Sequence, residues 1–177
     1  MPDNLLFRNR YRIPSTRLKG WDYGGAGVYS ITPCARGRIC WFGEVVEDRV
    51  ELSPLGEVVA EEWRKIPDSF DRVTLDEWIV MPDHLHGILV FKGRPPEDLR
   101  VSSRMTPQSL GAVMGQFKSN ASKRIWWNLR HRDFAWQDRF HDAIVRDTDA
   151  LDNLRAYIRG NPRRWTESRP SGSNSVL

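Results

Sequence analysis

Two histidines, His84 and His86, are the residues whose types and spacing most directly suggest chemistry. They open an apolar run that continues to residue 91, and such a run predicts a buried β-strand. Strand side chains alternate between the two faces of a sheet, so both imidazoles point the same way. Their Cβ atoms are then roughly 7 Å apart, close enough for both rings to bind one metal ion. The alternative is a pair of structural histidines near a strand end.

A second pair, Tyr157 and Asn161, lies on the helix predicted nearest the C-terminus. Residues four apart on a helix sit one above the other on the same face. The apolar positions Leu151, Leu154 and Ile158 predict the buried face of this helix, so Tyr157 lies close to that stripe. The same pattern also suits a half-buried tyrosine followed by an asparagine that caps the helix.

The net charge of +4 is unevenly distributed along the 177 residues. Residues 1–20 and 118–132 are basic, whereas residues 44–77 are strongly acidic. Charge sorted in this way suits a protein that binds a polyanion on one side of the molecule. Ordinary solvated faces are the alternative explanation.

Length and composition predict one globular domain with a substantial core. No apolar run is long enough to span a bilayer, and the first residues lack the pattern of a signal peptide. Cys34 and Cys40 have no metal-site spacing, so we expect reduced thiols. These features predict a cytoplasmic protein.

The order of the predicted elements indicates an α+β fold. The strands are predicted at residues 28–32, 73–81, 84–91, 134–136 and 140–145, with a further hairpin formed by residues 39–42 and 45–52. Two helices begin at the cap-and-proline pairs Ser53-Pro54 and Thr106-Pro107. The order is that of the ferredoxin-like βαββαβ motif, an antiparallel sheet with helices on one face.

A further helix follows this motif and carries the tyrosine. Asp147 or Thr148 caps its start, and Gly160 with Pro162 predicts its end. We expect residues 1–20 to form a basic arm, residues 21–167 to form the domain and residues 168–177 to form a disordered tail.

Four short segments, taken in order, resemble the single-tyrosine HUH transposases, most closely the REP-associated tyrosine transposases. The segments are MPDHLHGILV at residues 81–90, FKS at 117–119, WQDRF at 136–140 and YIRGNP at 157–162. The resemblance covers nearly the whole chain, from RLKGWDY at residues 17–23 to Trp165. One departure is visible: the family usually has a histidine at the position of Ala143, whereas this chain has His141.

The resemblance implies that residues 21–167 form a metal-dependent single-stranded DNA endonuclease and strand transferase acting at hairpin-forming repeats. Tyr157 would be the nucleophile and would form a 5′-phosphotyrosine intermediate. His84, His86 and Asn161 would hold the divalent metal, Mg²⁺ or Mn²⁺. The basic side chains expected to contact the DNA are Arg10, Arg12, Arg17, Lys19, Lys118, Lys123, Arg124, Arg155 and Arg159.

Several alternatives stay open at this point. The protein could be a catalytically silent hairpin-binding protein, or a zinc hydrolase that uses the His-x-His pair. Trp126, Trp127 and Trp136 are candidates for stacking on unpaired bases, with burial in the core as the alternative. The expected partner is single-stranded or hairpin DNA, with no membrane and no small-molecule substrate. A monomer is favoured over a dimer that exchanges the tyrosine helix.

Overall fold

The structure is a computed structural model that describes residues 6–7, 10–11, 21–93 and 108–168, with side chains for 21–93 and 108–167. The strands in chain order are β1 (Leu6–Phe7), β2 (Arg10–Tyr11), β3 (Gly27–Ala35), β4 (Gly43–Val46), β5 (Arg49–Leu52), β6 (Val73–Met81), β7 (His84–Phe91) and β8 (Trp136–Val145). The helices are α1 (Pro54–Arg64), α2 (Ile66–Ser69), α3 (Leu110–Trp127), α4 (Thr148–Arg159) and α5 (Asn161–Ser168). A short 3₁₀ turn, Arg36–Arg38, follows β3.

The main sheet has four strands in the order β6-β7-β3-β8, and every neighbouring pair is antiparallel. Taken in chain order with α1 and α3, these strands give the predicted βαββαβ arrangement. The α+β fold class and the central position of the histidine strand are therefore confirmed. Two small antiparallel hairpins, β1–β2 and β4–β5, lie outside this sheet.

The two faces of β7 have different roles. Leu85, Leu89 and Phe91 lie in the main core together with Trp63 of α1 and Phe117 of α3. Trp63 and Phe117 pack edge to face, with ring centroids 5.2 Å apart. Because strand side chains alternate, His84 and His86 lie on the opposite face of the sheet.

The structure corrects two predicted strand boundaries. β3 continues through Pro33, where a strand end was predicted, and Pro33 pairs with Phe140 of β8. The ladder shifts register between Pro33 and Ala35, which is where a strand tolerates a residue without an N–H donor. The two short strands predicted between 134 and 145 form one strand, β8, because β3 pairs with it from Val28 to Ala35.

The helix boundaries also differ from expectation at three places. The first helix ends at Arg64, before Pro67. Pro67 itself lies in the first turn of a second short helix, α2. The helix expected from Thr106-Pro107 begins at Leu110, where the hydroxyl of Ser109 accepts the N–H of Ala112. The last predicted helix ends where expected, because α4 stops at Arg159 with Gly160 at its C-terminal cap, but a further helix, α5, was not predicted and starts at Asn161, with proline in its first turn.

Other predictions are confirmed or lie outside the described residues. Ser53 caps α1 by accepting the N–H of Gly56, and Asp147 caps α4 by accepting that of Ala150. A hairpin forms within residues 39–52 as β4–β5, with Glu47 and Asp48 in the left-handed region at its turn, but residues 39–42, predicted as its first strand, precede it. Most of the predicted arm and tail lies outside the described residues, including Arg12, Arg17 and Lys19. In the described part of the chain, no helix has the length and apolar character that crossing a membrane requires.

Gly87 provides a test of this packing, because a Cβ atom there would lie 2.3 Å from Cζ2 of Trp63. Gly87→Ala should therefore displace the tryptophan and lower the free energy of unfolding by about 1–3 kcal/mol. The matched control is Gly115→Ala on α3, where a Cβ atom meets nothing within 4 Å. The control should stabilise the protein by about 0.5–1 kcal/mol through helix propensity. Urea unfolding measures both, and equal stabilities of the two variants would contradict the packing described for Trp63.

Candidate active site

The two histidines lie side by side at the start of β7. Their ring centroids are 4.5 Å apart and the ring planes are nearly perpendicular, at 86°. Nδ1 of the buried His84 lies 2.5 Å from Oδ1 of Asp83. A carboxylate accepts a hydrogen bond, so Nδ1 of His84 donates to Asp83, and Nε2 is the nitrogen left for another partner.

Asp83 is itself held on its other side. Its side chain is fully buried, and Arg38 Nε lies 3.0 Å from Asp83 Oδ2. Arg38 adopts the left-handed region at φ 58° and also donates to the sulfur of Cys34 at 2.8 Å. A non-glycine residue in this region costs energy, which the two contacts of the guanidinium help to offset. The chain Arg38–Asp83–His84 therefore fixes the orientation of the first imidazole.

His86 is oriented by a different neighbour, Thr32 of β3, whose Oγ1 lies 2.9 Å from His86 Nδ1. Burial, followed by the positive charge that His84 can carry, lowers the pKa of His86 to about 3. The imidazole is therefore neutral at physiological pH. In both histidines Nδ1 is engaged within the protein, and Nε2 is the nitrogen left for an external ligand.

The helices α4 and α5 bring the second pair of residues to these rings. The ring of Tyr157 lies 5.5 Å from that of His86, and the ring of Trp165 lies 5.8 Å from that of His84. Asn161 stands one helical turn from each of these aromatic residues, and its Nδ2 donates to the carbonyl of Tyr157 at 3.1 Å. The structure thus brings the tyrosine to the histidine pair. The buried Asn161 lies in sequence midway between Tyr157 and Trp165, the two residues whose rings contact the histidines.

Arg164 adds a cation on the other side of the tyrosine. Its guanidinium carbon lies 4.8 Å from the centroid of the Tyr157 ring, and its Nη1 donates to the carbonyl of Tyr157 at 3.0 Å. Tyr157 is 42% exposed, so part of the residue is open to solvent. An exposed phenol beside a guanidinium and a neutral imidazole can meet an anionic group.

The donor atoms at this site fit a divalent metal ion. Each imidazole has its Nδ1 engaged by a neighbour, which is the usual arrangement of metal-binding histidines. The amide nitrogen of Asn161 is also engaged, so its Oδ1 is the atom left to act as a ligand. Among the described residues, no group of three His, Cys, Asp or Glu side chains could hold a metal ion.

The other histidine of interest, His141, lies on the same sheet face. It pairs with Thr32 across the β3–β8 ladder, and directly opposite residues share a face. Ala143 pairs with Ser30, one step farther from the histidine pair. His141 is exposed and lies one strand beyond the threonine that bonds to His86.

Most of the predicted DNA-contacting residues with described side chains have internal partners. Arg155 forms an ion pair with Asp76 and Arg159 forms one with Glu77, both between α4 and β6. Arg124 of α3 pairs with Glu61 and Glu62 of α1, and Lys118 donates to the carbonyl of Gln137 at 2.6 Å. Lys123 is exposed. Only the backbone of Arg10 is described, and the role of these residues in DNA binding stays a prediction.

The three tryptophans differ in exposure. Trp136 is buried in the core, so the alternative to base stacking holds for this residue. Trp126 is partly buried and donates to the carbonyl of Phe134 at 2.8 Å. Trp127 is 63% exposed, with the guanidinium carbon of Arg132 3.7 Å from its ring centroid. Trp127 therefore has the most accessible ring of the three.

Sequence reasoning missed five residues at the site. Asp83 was visible beside His84, and a carboxylate next to a candidate ligand is a signal for an orienting role. Thr32, Arg38, Arg164 and Trp165 come from other elements, and no spacing in the sequence pointed to them.

The depressed pKa of His86 gives a pH test on the metal-free protein. The unfolded chain takes up the proton near pH 6.5, whereas the folded protein does so only near pH 3. Between these values the unfolded state binds more protons, so stability falls as the pH falls, by up to about 1.4 kcal/mol per pH unit. Urea unfolding with a chelator should show a shallower dependence in His86→Gln than in wild type.

The control for this test is His131→Gln, because His131 is exposed on the loop after α3. It should keep the wild-type dependence. If His86→Gln and wild type lose stability equally over this range, the imidazole is not held neutral by the fold.

The chain is similar to known proteins in sequence and in fold. No protein-family model matches the chain. An uncharacterised protein of Haemophilus influenzae is 32% identical over 164 residues, which span 86% of this chain and 89% of that protein.

Two solved structures are similar in fold. A REP-associated tyrosine transposase bound to a REP hairpin matches 87% of this chain and 75% of its own, with a TM-score of 0.61 and 16% identity. A proposed transposase from Deinococcus radiodurans matches 81% of this chain and 95% of its own, with a TM-score of 0.45 and 16% identity. The first match confirms, at the level of the fold, the resemblance that the four motifs indicated. The chain belongs to the same protein family as the Haemophilus influenzae protein, and its fold is that of the REP-associated tyrosine transposase.

Proposed function

We propose that this protein is a metal-dependent single-stranded DNA endonuclease and strand transferase that acts at hairpin-forming repeats. The observation that carries the proposal is the contact between Tyr157 and His86, with ring centroids 5.5 Å apart. It brings a nucleophile on α4 to a candidate metal-binding pair on β7. The hairpin substrate is suggested by the structure of similar fold, which was bound to a REP hairpin.

In the proposed reaction the hydroxyl of Tyr157 attacks a phosphorus atom of the DNA strand. The new O–P bond forms as the bond to the 3′ oxygen breaks, which leaves a 5′-phosphotyrosine and a free 3′-OH. The phenolic proton leaves to solvent, and the departing 3′ oxygen takes one up. Attack by the 3′-OH of a second strand reverses these bonds, so strands are joined without ATP.

His84 and His86, through Nε2, and Asn161, through Oδ1, would hold the metal ion. When bound, a divalent ion supplies positive charge that stabilises the negative charge developing on the phosphate. Asp83 and Thr32 keep the two imidazoles oriented, and the low pKa of His86 keeps that ring neutral, as a ligand must be. Arg164 lies beside the nucleophile and would face the same phosphate.

Removing the hydroxyl of Tyr157 tests the nucleophile. Tyr157→Phe keeps the ring and its contacts, so folding and hairpin binding should stay near wild type. Formation of the covalent protein–DNA adduct should be lost, together with cleavage. The measurement is a denaturing gel of a labelled hairpin oligonucleotide incubated with the protein and Mn²⁺.

Tyr23→Phe is the matched control, because Tyr23 stacks on Tyr29 away from the histidines. Tyr29 is fully buried and accepts a hydrogen bond from Trp21, so its hydroxyl cannot reach a strand. An adduct that persists in Tyr157→Phe would move the nucleophile elsewhere. Hairpin binding without any adduct in wild type would favour the catalytically silent alternative.

Removing the amide of Asn161 tests the third ligand. Asn161→Ala should raise the Mn²⁺ concentration needed for half-maximal adduct formation by about 10- to 100-fold, and excess Mn²⁺ should partly restore the rate. Loss of the bond to the Tyr157 carbonyl should also loosen the α4–α5 junction, which a lower melting temperature reports. Asn153→Ala, at an exposed position on α4, is the control. An unchanged Mn²⁺ dependence in Asn161→Ala would leave the asparagine with a structural role only.

A further inference from the structure

Two consecutive carboxylates, Asp76 and Glu77, lie where β6 departs from regular pairing. The ladder between β6 and β7 shifts register between Leu75 and Trp78. At such an irregularity neighbouring side chains no longer alternate strictly between faces. Here both carboxylates reach the same helix, α4.

The contacts of these carboxylates are close and directional. Arg155 meets Asp76 through two bonds, Nε to Oδ1 at 2.8 Å and Nη2 to Oδ2 at 2.6 Å. Arg159 Nη1 lies 2.5 Å from Glu77 Oε2. The two-pronged geometry is the strong form of an arginine–carboxylate contact, and Asp76 is only 19% exposed. Asp76 Oδ1 also accepts the N–H of Glu77 at 2.7 Å, which holds the carboxylate in place.

The positions of these residues around α4 explain what the ion pairs can control. At 100° per residue, Arg155 and Arg159 share one flank of the helix, and Tyr157 lies about 160° from each of them. Ile158 and Leu154 face the sheet between the two flanks. A contact on the arginine flank therefore fixes the rotation of α4 about its own axis. This rotation determines where Tyr157 lies relative to His86.

Apolar packing alone holds α4 weakly. Ile158 is its only fully buried residue, and Leu151 and Leu154 are partly exposed. A single buried isoleucine contributes about 1.5–3 kcal/mol and does not define a rotation about the helix axis. Two ion pairs, from arginines one helical turn apart on α4 to consecutive carboxylates on β6, supply the missing directional constraint.

We propose that Asp76 and Glu77 are positioning residues that set the placement of the tyrosine helix over the histidine pair. This inference rests on the proposed role of Tyr157. It gives Arg155 and Arg159 an intramolecular role, in place of the DNA contact predicted from their charge. The pKa of Asp76 is lowered chiefly by its hydrogen bond with Arg155, which agrees with a carboxylate that stays ionised in this pair.

The test removes the charges without removing the side chains. Asp76→Asn/Glu77→Gln keeps an acceptor for the N–H of Glu77 and abolishes both ion pairs. The control is Asp152→Asn, which also deprives Arg155 of a carboxylate partner, but one within α4 itself. A charge-swapped variant, Glu77→Arg/Arg159→Glu, rebuilds one ion pair with the opposite polarity.

Three measurements are made on the full chain. They are hairpin affinity, the single-turnover rate of adduct formation at saturating hairpin with Mn²⁺, and hydrogen exchange of residues 148–159. We expect the double variant to form the adduct about 10- to 100-fold more slowly once bound, because a small misplacement of a reacting group costs that much. Hydrogen exchange in α4 should also be faster in the double variant. The charge-swapped variant should form the adduct faster than Glu77→Arg alone. Asp152→Asn should match wild type in all three measurements.

An unchanged rate and unchanged exchange in the double variant would overturn the inference. An equal loss in Asp152→Asn would also overturn it, because the effect would then follow the charge on Arg155 and not the link to β6. If wild-type protein forms no adduct, the proposed function fails, and hydrogen exchange alone decides whether the carboxylates hold the helix.

Discussion

The alternation of side chains along β7 is the constraint on which the rest of the site depends. One face of this strand carries Leu85 and Leu89, which are fully buried in the core. Burying each of them stabilises the fold by about 1.5–3 kcal/mol, and a shift of the strand by one residue would move both out of this core. The other face must then present His84 and His86. The hydrophobic core therefore fixes the spacing and the direction of the two imidazoles.

The two halves of the site are held by different forces. The histidines stand on a central strand, and His84 is further locked by a buried carboxylate, Asp83, that Arg38 neutralises. Tyr157 stands on a thinly packed helix whose roll depends on partly exposed ion pairs. For the proposed function, a rigid histidine pair and a more adjustable tyrosine would suit a reaction in which a covalently held strand must be exchanged for another. α4 ends at Arg159 and α5 begins at Asn161, and Trp165 of α5 lies beside His84.

The sequence was most informative where a local pattern and the tertiary structure agree. β6 and β7 have the bounds that their apolar runs and the intervening Pro82-Asp83 predicted, because both the runs and the turn between them are local signals. Helical spacing predicted that Tyr157 and Asn161 lie close together, and they do, although Asn161 begins a separate helix, α5. The errors lie where long-range pairing overrides a local signal. β3 extends through Pro33 because β7 and β8 flank it, and β8 spans polar residues because β3 supplies its backbone partners.

The ion pairs show why charge along a sequence is an ambiguous guide to a binding surface. The acidic residues between 44 and 77 include Glu61, Glu62, Asp76 and Glu77, and these four are the partners of Arg124, Arg155 and Arg159. The segregation that suggests a polyanion partner is thus in part complementarity between segments that fold against each other. A guanidinium already held by two carboxylate oxygens must lose those bonds before it can neutralise a phosphate. The cations best placed to bind a nucleic acid are therefore those that the fold leaves exposed, such as Lys123. The number of basic residues along a helix does not identify them.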